Sequence, residues 1–227
     1  MRAALVPIIL TFVMLAGCTK NEEKSEPVLT SAVPRATADR DSRPVIVVFG
    51  DSLSEVGADS GRSFPDVLQR MLDERGYRYR IVNQGISGDT TTGGVGRTQA
   101  AIELKPDLLI LELGGNDGLR GVPVAESKQN LEKMIQAFQG AGIRVLMAGM
   151  SLPPNYGAEY IHSFESMYRD LAAKYQLPLI PFLLSDIAKG LRTHPEWLSQ
   201  DGIHPTPAGN KVVAGTVLKT LEPLLKK

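Results

Sequence analysis

A hydroxyl, an imidazole and a carboxylate at three points of this 227-residue chain could together carry out nucleophilic acyl transfer. The hydroxyl is that of Ser52, in the run "VIVVFGDSLS" from Val45 to Ser54. The imidazole and carboxylate are those of His204 and Asp201, three residues apart in "DGIHP". At that spacing two side chains can face each other across one turn. Asp201 would accept the Nδ1 proton of His204 and leave Nε2 free to take the proton of Ser52. Ser54 and Ser87 are competing hydroxyls, but Gly50 permits a tight exit from the apolar run just before Ser52. His162 falls in a helix-like stretch and His194 precedes Pro195 in a loop, so both read as surface or locally satisfied residues. Each motif alone has a plainer reading: Asp51 and Ser52 as helix caps, and Asp201 as a turn cap beside a bystander histidine. Their joint occurrence favours the chemistry.

Acyl transfer also needs donors aimed at the oxygen on which negative charge develops, each worth about 2.7–4 kcal/mol. Three are available: the backbone N–H groups of Ser52 and of Gly88 in "SGD", and the side-chain amide of Asn116 in "GGND". Gly88 has no Cβ to obstruct an approaching oxygen, and Gly114 and Gly115 allow a tight turn before Asn116. Asp117 reads as a helix cap. The stretch "SGDTTTGGVG" lacks the lysine and the spacing of a phosphate-binding loop. "GDSLS" is likewise not the G-x-S-x-G elbow, because position 54 is serine.

These residues need a scaffold that gathers them. Strand-like runs occur at Val45–Phe49, Tyr79–Asn83, Leu108–Leu113, Val145–Met150 and Leu179–Phe182. Helix-like stretches separate them: Phe64–Arg75, Thr92–Leu104, Val124–Gln139, Glu159–Lys174 and Thr206–Leu225. Alternation of this kind predicts an α/β fold with about five parallel strands covered on both faces. "GDSLS", "QGISGDTTTGG", "GGND" and "SLPPNYG" follow the first four strands in turn. All would leave the carboxyl edge of the sheet, where such folds collect ligands. "DGIHP" lies between the last strand and the last helix, and can return to that edge. Leu53, Leu119, Leu152 and Tyr156 are the candidates for lining an apolar substrate pocket there.

Together the motifs resemble those of the SGNH hydrolases, the GDSL family of esterases and lipases. The family's four marks match Ser52, Gly88, Asn116 and His204, with Asp201 as third member of the triad. "GDSLS", "ISGDTT", "GGNDGLRG", "LPPNYG" and "DGIHP" look most like the bacterial periplasmic branch of arylesterases, acyl-CoA thioesterases and lysophospholipases. The resemblance spans roughly 45–225. It implies a flavodoxin-like, three-layer α/β/α sandwich. It also implies two-step hydrolysis of carboxylic esters or thioesters through an acyl-enzyme on Ser52, with no metal or cofactor. A carbohydrate O-deacetylase on the same scaffold is the alternative within the enzyme class. A catalytically inactive envelope-bound binding module is the alternative outside it.

The start of the chain has a different character. Arg2 is the only charge before an apolar run from Ala3 to Ala16, which is too short for a spanning helix and fits a secretory signal. It ends in Leu15-Ala16-Gly17-Cys18, which resembles a bacterial lipobox. The expectation is a leader over 1–17, lipid on Cys18, a polar tether over 18–43 and one folded domain over 44–227. Thr19 after the cysteine points to the outer membrane, and the expected location is the bacterial cell envelope, lipid-anchored and facing the periplasm. Cys18 is the only cysteine, so a disulfide within one chain and a thiolate metal cluster are both excluded. The 25 basic and 25 acidic residues balance, which gives no case for nucleic-acid binding.

Overall fold

The computed structural model describes residues 41–227. The expected leader over 1–17, Cys18 and the expected tether up to residue 40 lie outside the described residues. The described unit, Asp41–Lys227, is built on five parallel strands: β1 (Val45–Gly50), β2 (Arg80–Gly85), β3 (Leu108–Glu112), β4 (Arg144–Ala148) and β5 (Leu179–Ile180). Their order in the sheet is β2-β1-β3-β4-β5. β1 and β3 are central and buried almost throughout, which is why both read as continuous apolar runs. β2 lies on an edge and is half-buried along its length.

Eight α-helices accompany the strands among the described residues. They are α1 (Ser52–Glu55), α2 (Phe64–Glu74), α3 (Thr91–Glu103), α4 (Gly115–Leu119), α5 (Val124–Gly140), α6 (Ala158–Tyr175), α7 (Ser185–Gly190) and α8 (Pro207–Leu221). α3, α5 and α6 pack side by side in one layer. α2, α8 and α7 pack together in the other. The expected α/β/α sandwich is therefore present. Its core joins Phe49, Leu109, Leu111, Met134 and Phe138 to Phe64, Leu68, Leu146 and Val217. Phe49 and Phe138 meet edge to face at 5.6 Å.

Local sequence explains the helix starts. Ser63 and Asp66 form a capping box on α2, Thr90 caps α3 through Gly93 N, and Thr206 caps α8 ahead of Pro207. The strand boundaries differ modestly from expectation. β5 stops at Ile180 instead of Phe182, because Pro181 has no N–H to continue the ladder. β2 runs on through Asn83 and Gln84 to Gly85. There the Asn83 amide donates to Ser54 O at 2.8 Å and so ties β2 to the turn after β1.

Candidate active site

Ser52 stands where β1 ends. Asp51 caps the single turn of α1 by accepting from Leu53 N, so Ser52 is the first helical residue. The residue is buried at 8% exposure, which keeps its hydroxyl largely out of bulk water. A Cβ at Gly50 would collide with the Glu112 carboxyl, so glycine lets β1 and β3 approach at the turn.

Across 152 residues of sequence, His204 Nε2 lies 2.8 Å from Ser52 Oγ. His204 Nδ1 lies 2.7 Å from Asp201 Oδ2. Asp201 Oδ1 accepts from the backbone N–H groups of Ile203 at 2.8 Å and His204 at 3.0 Å, and from Ser199 Oγ at 2.6 Å. These hydrogen bonds, that of Ser199 foremost and then that of His204, hold the Asp201 carboxyl below the usual carboxylate range. The loop is pinned by its own contacts. Ser199 N donates to His204 O, Thr206 N donates to Trp197 O, and Leu198 bridges Pro205. His194 stacks on Trp197 with centroids 4.3 Å apart, and its Nδ1 lies 3.1 Å from Glu196 Oε1. His162 lies on α6. Ser54 is committed to Glu112.

The expected oxyanion donors sit on neighbouring loops of this edge. Gly88 adopts φ +74°, in the region that favours glycine. Its loop is drawn against β1 by Ile86 N, which donates to Gly50 O. Asn116 is in the first turn of α4, and its Nδ2 donates to Asp51 Oδ2 at 3.1 Å. Asp117 does not cap that helix. Its carboxylate accepts from Thr91 N, Thr91 Oγ1 and Ser127 Oγ instead, which ties the Asn116 loop to α3 and α5. Three phenols fix the same loop from the other side: Tyr156 donates to Leu119 O, Tyr160 to Val122 O and Tyr168 to Leu113 O.

A cavity of about 360 Å³ opens beside the serine. Its lining includes Leu53, Leu119, Met150, Leu152, Ile187 and Ile203, and it is predominantly apolar. Leu53 and Ile203 are the chain neighbours of Ser52 and His204. Three of the four expected pocket residues thus face this cavity. Tyr156 is not among its lining residues and acts as a strut beneath Leu119.

Sequence reading missed two residues that organise this edge. Glu112, the last residue of β3, is completely buried beneath the serine turn. An acid inside an apolar strand run was the available signal. Arg97 donates to Gly50 O and Gln84 O, pairs with Asp89 at 2.7 Å and stacks on Phe49. It clamps the ends of β1 and β2, and nothing in its exposed-looking helix announced that.

Residues 48–212 match the model of the GDSL-like Lipase/Acylhydrolase family. The chain is 43% identical over 184 residues to esterase TesA of Pseudomonas aeruginosa, covering 79% of this chain and 89% of that one. It also matches a crystal structure of TesA with a TM-score of 0.74, over 80% of this chain and 99% of that one. An arylesterase of Vibrio mimicus is 39% identical over 178 residues, covering 78% and 87% of the two chains. The thioesterase 1/protease 1/lysophospholipase L1 of Escherichia coli is 33% identical over 182 residues, covering 79% and 84%.

Proposed function

The chain belongs to the GDSL-like Lipase/Acylhydrolase family and is an ester-bond hydrolase, and we propose that it works through an acyl-enzyme on Ser52. The observation that carries this reading is the continuous pair of contacts Ser52 Oγ–His204 Nε2–Asp201, at 2.8 and 2.7 Å. His204 takes the Ser52 proton as Oγ attacks the carbonyl carbon. The carbonyl oxygen becomes an oxyanion facing the N–H groups of Ser52 and Gly88 and the Asn116 amide. Collapse breaks the bond to the leaving alcohol or thiol, which receives the proton from His204. Water then gives a proton to His204 and attacks the acyl carbon. Collapse of the second intermediate returns that proton to Ser52 and releases the acid.

The substrates are carboxylic esters and thioesters: aryl esters, short or medium acyl esters and lysophospholipids. Arylesterase, thioesterase and lysophospholipase are the names carried by relatives at 33–39% identity. The apolar cavity favours an acyl or aryl group over a carbohydrate, and so favours this reading over O-deacetylation. Hydrolysis of p-nitrophenyl esters by wild type and Ser52→Ala is the test. The variant is expected to lose at least about 10³-fold in kcat while remaining folded. Undiminished turnover would remove Ser52 from its role.

For the cell, the reading is a lipoprotein anchored through Cys18 on the periplasmic side of the bacterial outer membrane, with the leader over 1–17 removed. The support is the small residues ahead of Cys18. Cys18→Ser is expected to move the protein from the membrane to the soluble fraction, and continued membrane association would count against lipidation.

A further inference from the structure

The most unusual group outside the reacting residues is the acid buried at the end of β3. Glu112 is fully enclosed, and no cation pairs with it among the described residues. One of its oxygens, Oε2, accepts from Ser54 Oγ and from Asp51 N. The other, Oε1, is sealed from solvent with no acceptor role filled. Beside Glu112 is a second enclosed carboxyl, that of Asp51, whose backbone N–H reaches Oε2 at 3.2 Å and whose side chain acts on that of Glu112 through charge and hydrogen bonding. Asp51 in turn accepts from Leu53 N at 3.0 Å and from Asn116 Nδ2 at 3.1 Å. The ionisable groups that act on the pair or lie beside it include His204, Tyr168 of α6 and Arg97 of α3, and Arg97 is taken up by Gly50 O, Gln84 O and Asp89.

Two carboxyls side by side in a dry site do not both ionise. Burial, reinforced by the neighbouring Asp51 charge, pushes Glu112 well above the usual carboxyl range. Asp51 has two N–H donors to stabilise its ionised form. We propose that Glu112 is an undissociated acid whose Oε1 hydroxyl donates to the Asp51 carboxylate, making it the positioning residue that fixes the Asn116 amide. An ionised Asp51 can only accept, so the amide must present Nδ2 to it. The second N–H of Nδ2 is then free for the oxyanion. Were the proton on Asp51 instead, its hydroxyl could donate to Asn116 Oδ1, and the amide could turn its oxygen toward the developing negative charge.

The inference rests on the proposed acyl-enzyme chemistry and deepens it. Its test is a double-mutant cycle with Asn116→Ala, read in kcat and KM separately, together with infrared spectra. Wild type at neutral pH should show the carbonyl stretch of an undissociated buried acid, and Glu112→Gln should lack it. Glu112→Leu should lower kcat by about 10- to 100-fold with KM within about 2-fold. Glutamine can donate to Asp51 and still accept from Ser54, so Glu112→Gln should recover most of that loss. In the Asn116→Ala background, Glu112→Leu should cost less than about 3-fold further. An ionised Glu112, a glutamine variant as impaired as the leucine one, or fully multiplicative losses would each overturn the assignment. If Glu112→Leu does not fold, the infrared band and the kcat of Glu112→Gln, alone and with Asn116→Ala, decide. A harmless Asn116→Ala would instead refute the oxyanion role in the underlying mechanism, and a harmless Ser52→Ala the nucleophile.

Discussion

A buried acid beneath the nucleophile has a thermodynamic signature as well as a kinetic one. Burial holds a proton on Glu112 in the folded chain, and an unfolded chain releases such a proton at about pH 4.3. A carboxyl raised in the folded state contributes its full stability below the unfolded value. It loses that contribution as pH rises toward the folded value, by up to about 1.4 kcal/mol per pH unit for one proton. Glu112→Gln removes the titration. Urea unfolding at pH 5 and pH 8 should therefore show wild type losing more stability across the interval than Glu112→Gln. Parallel losses would mean that Glu112 does not carry the proton.

At the scale of elements, Ser52 is held where a strand ends and a helix begins, and His204 by the loop that leads into α8. Thr206 shows how closely the two are joined. Its Oγ1 donates to Glu196 O at 2.6 Å and accepts from Gly209 N at 3.3 Å, so one hydroxyl both starts α8 and closes the loop bearing His204. Thr206→Ala should cost about 1 kcal/mol in chemical denaturation. It should also lower kcat more than it alters KM, because His204 loses its brace. The main elements were legible because long apolar runs and one-faced helices leave a periodic imprint: all five strands and the five longer helices fall near their expected places. α1, α4 and α7, of four to six residues, are too short for any period to show. Ser52, Gly88 and Asn116 stand out in the sequence because their loops follow apolar runs, and Asp201 and His204 because they lie three apart in a polar loop before the last helix. The relations that fix them do not. Arg97 reaches two strand ends, and three tyrosines brace the Asn116 loop, through contacts that exist only once α3, α6 and the turn before α6 have packed. Asp117 looked like a cap for its own helix and instead serves the neighbours, because the packed sheet brings Thr91 within reach.

On the scale of the whole molecule, strand order decides where these parts can meet. The chain crosses from β1 to β2 in one direction and from β2 over to β3 in the other, leaving a crevice between the carboxyl ends of β1 and β3. Ser52 stands on one lip and Asn116 on the other. The cavity then extends away from the crevice toward α7, where Ala188 lies exposed at its margin. Ala188→Phe should shorten the space for an acyl tail without disturbing the core. The value of kcat/KM for p-nitrophenyl dodecanoate should fall about 10-fold, while that for the butyrate stays within about 2-fold. Equal losses on both would place the tail elsewhere. The two halves of the site are also secured very differently. Ser52 follows closely on a strand buried almost throughout, whereas Asp201 and His204 ride together on a surface strap between α7 and α8. Warming should release such a strap before the sheet gives way. Heat would then silence the protein while its far-ultraviolet circular dichroism is still native, and cooling would restore turnover with nothing to refold.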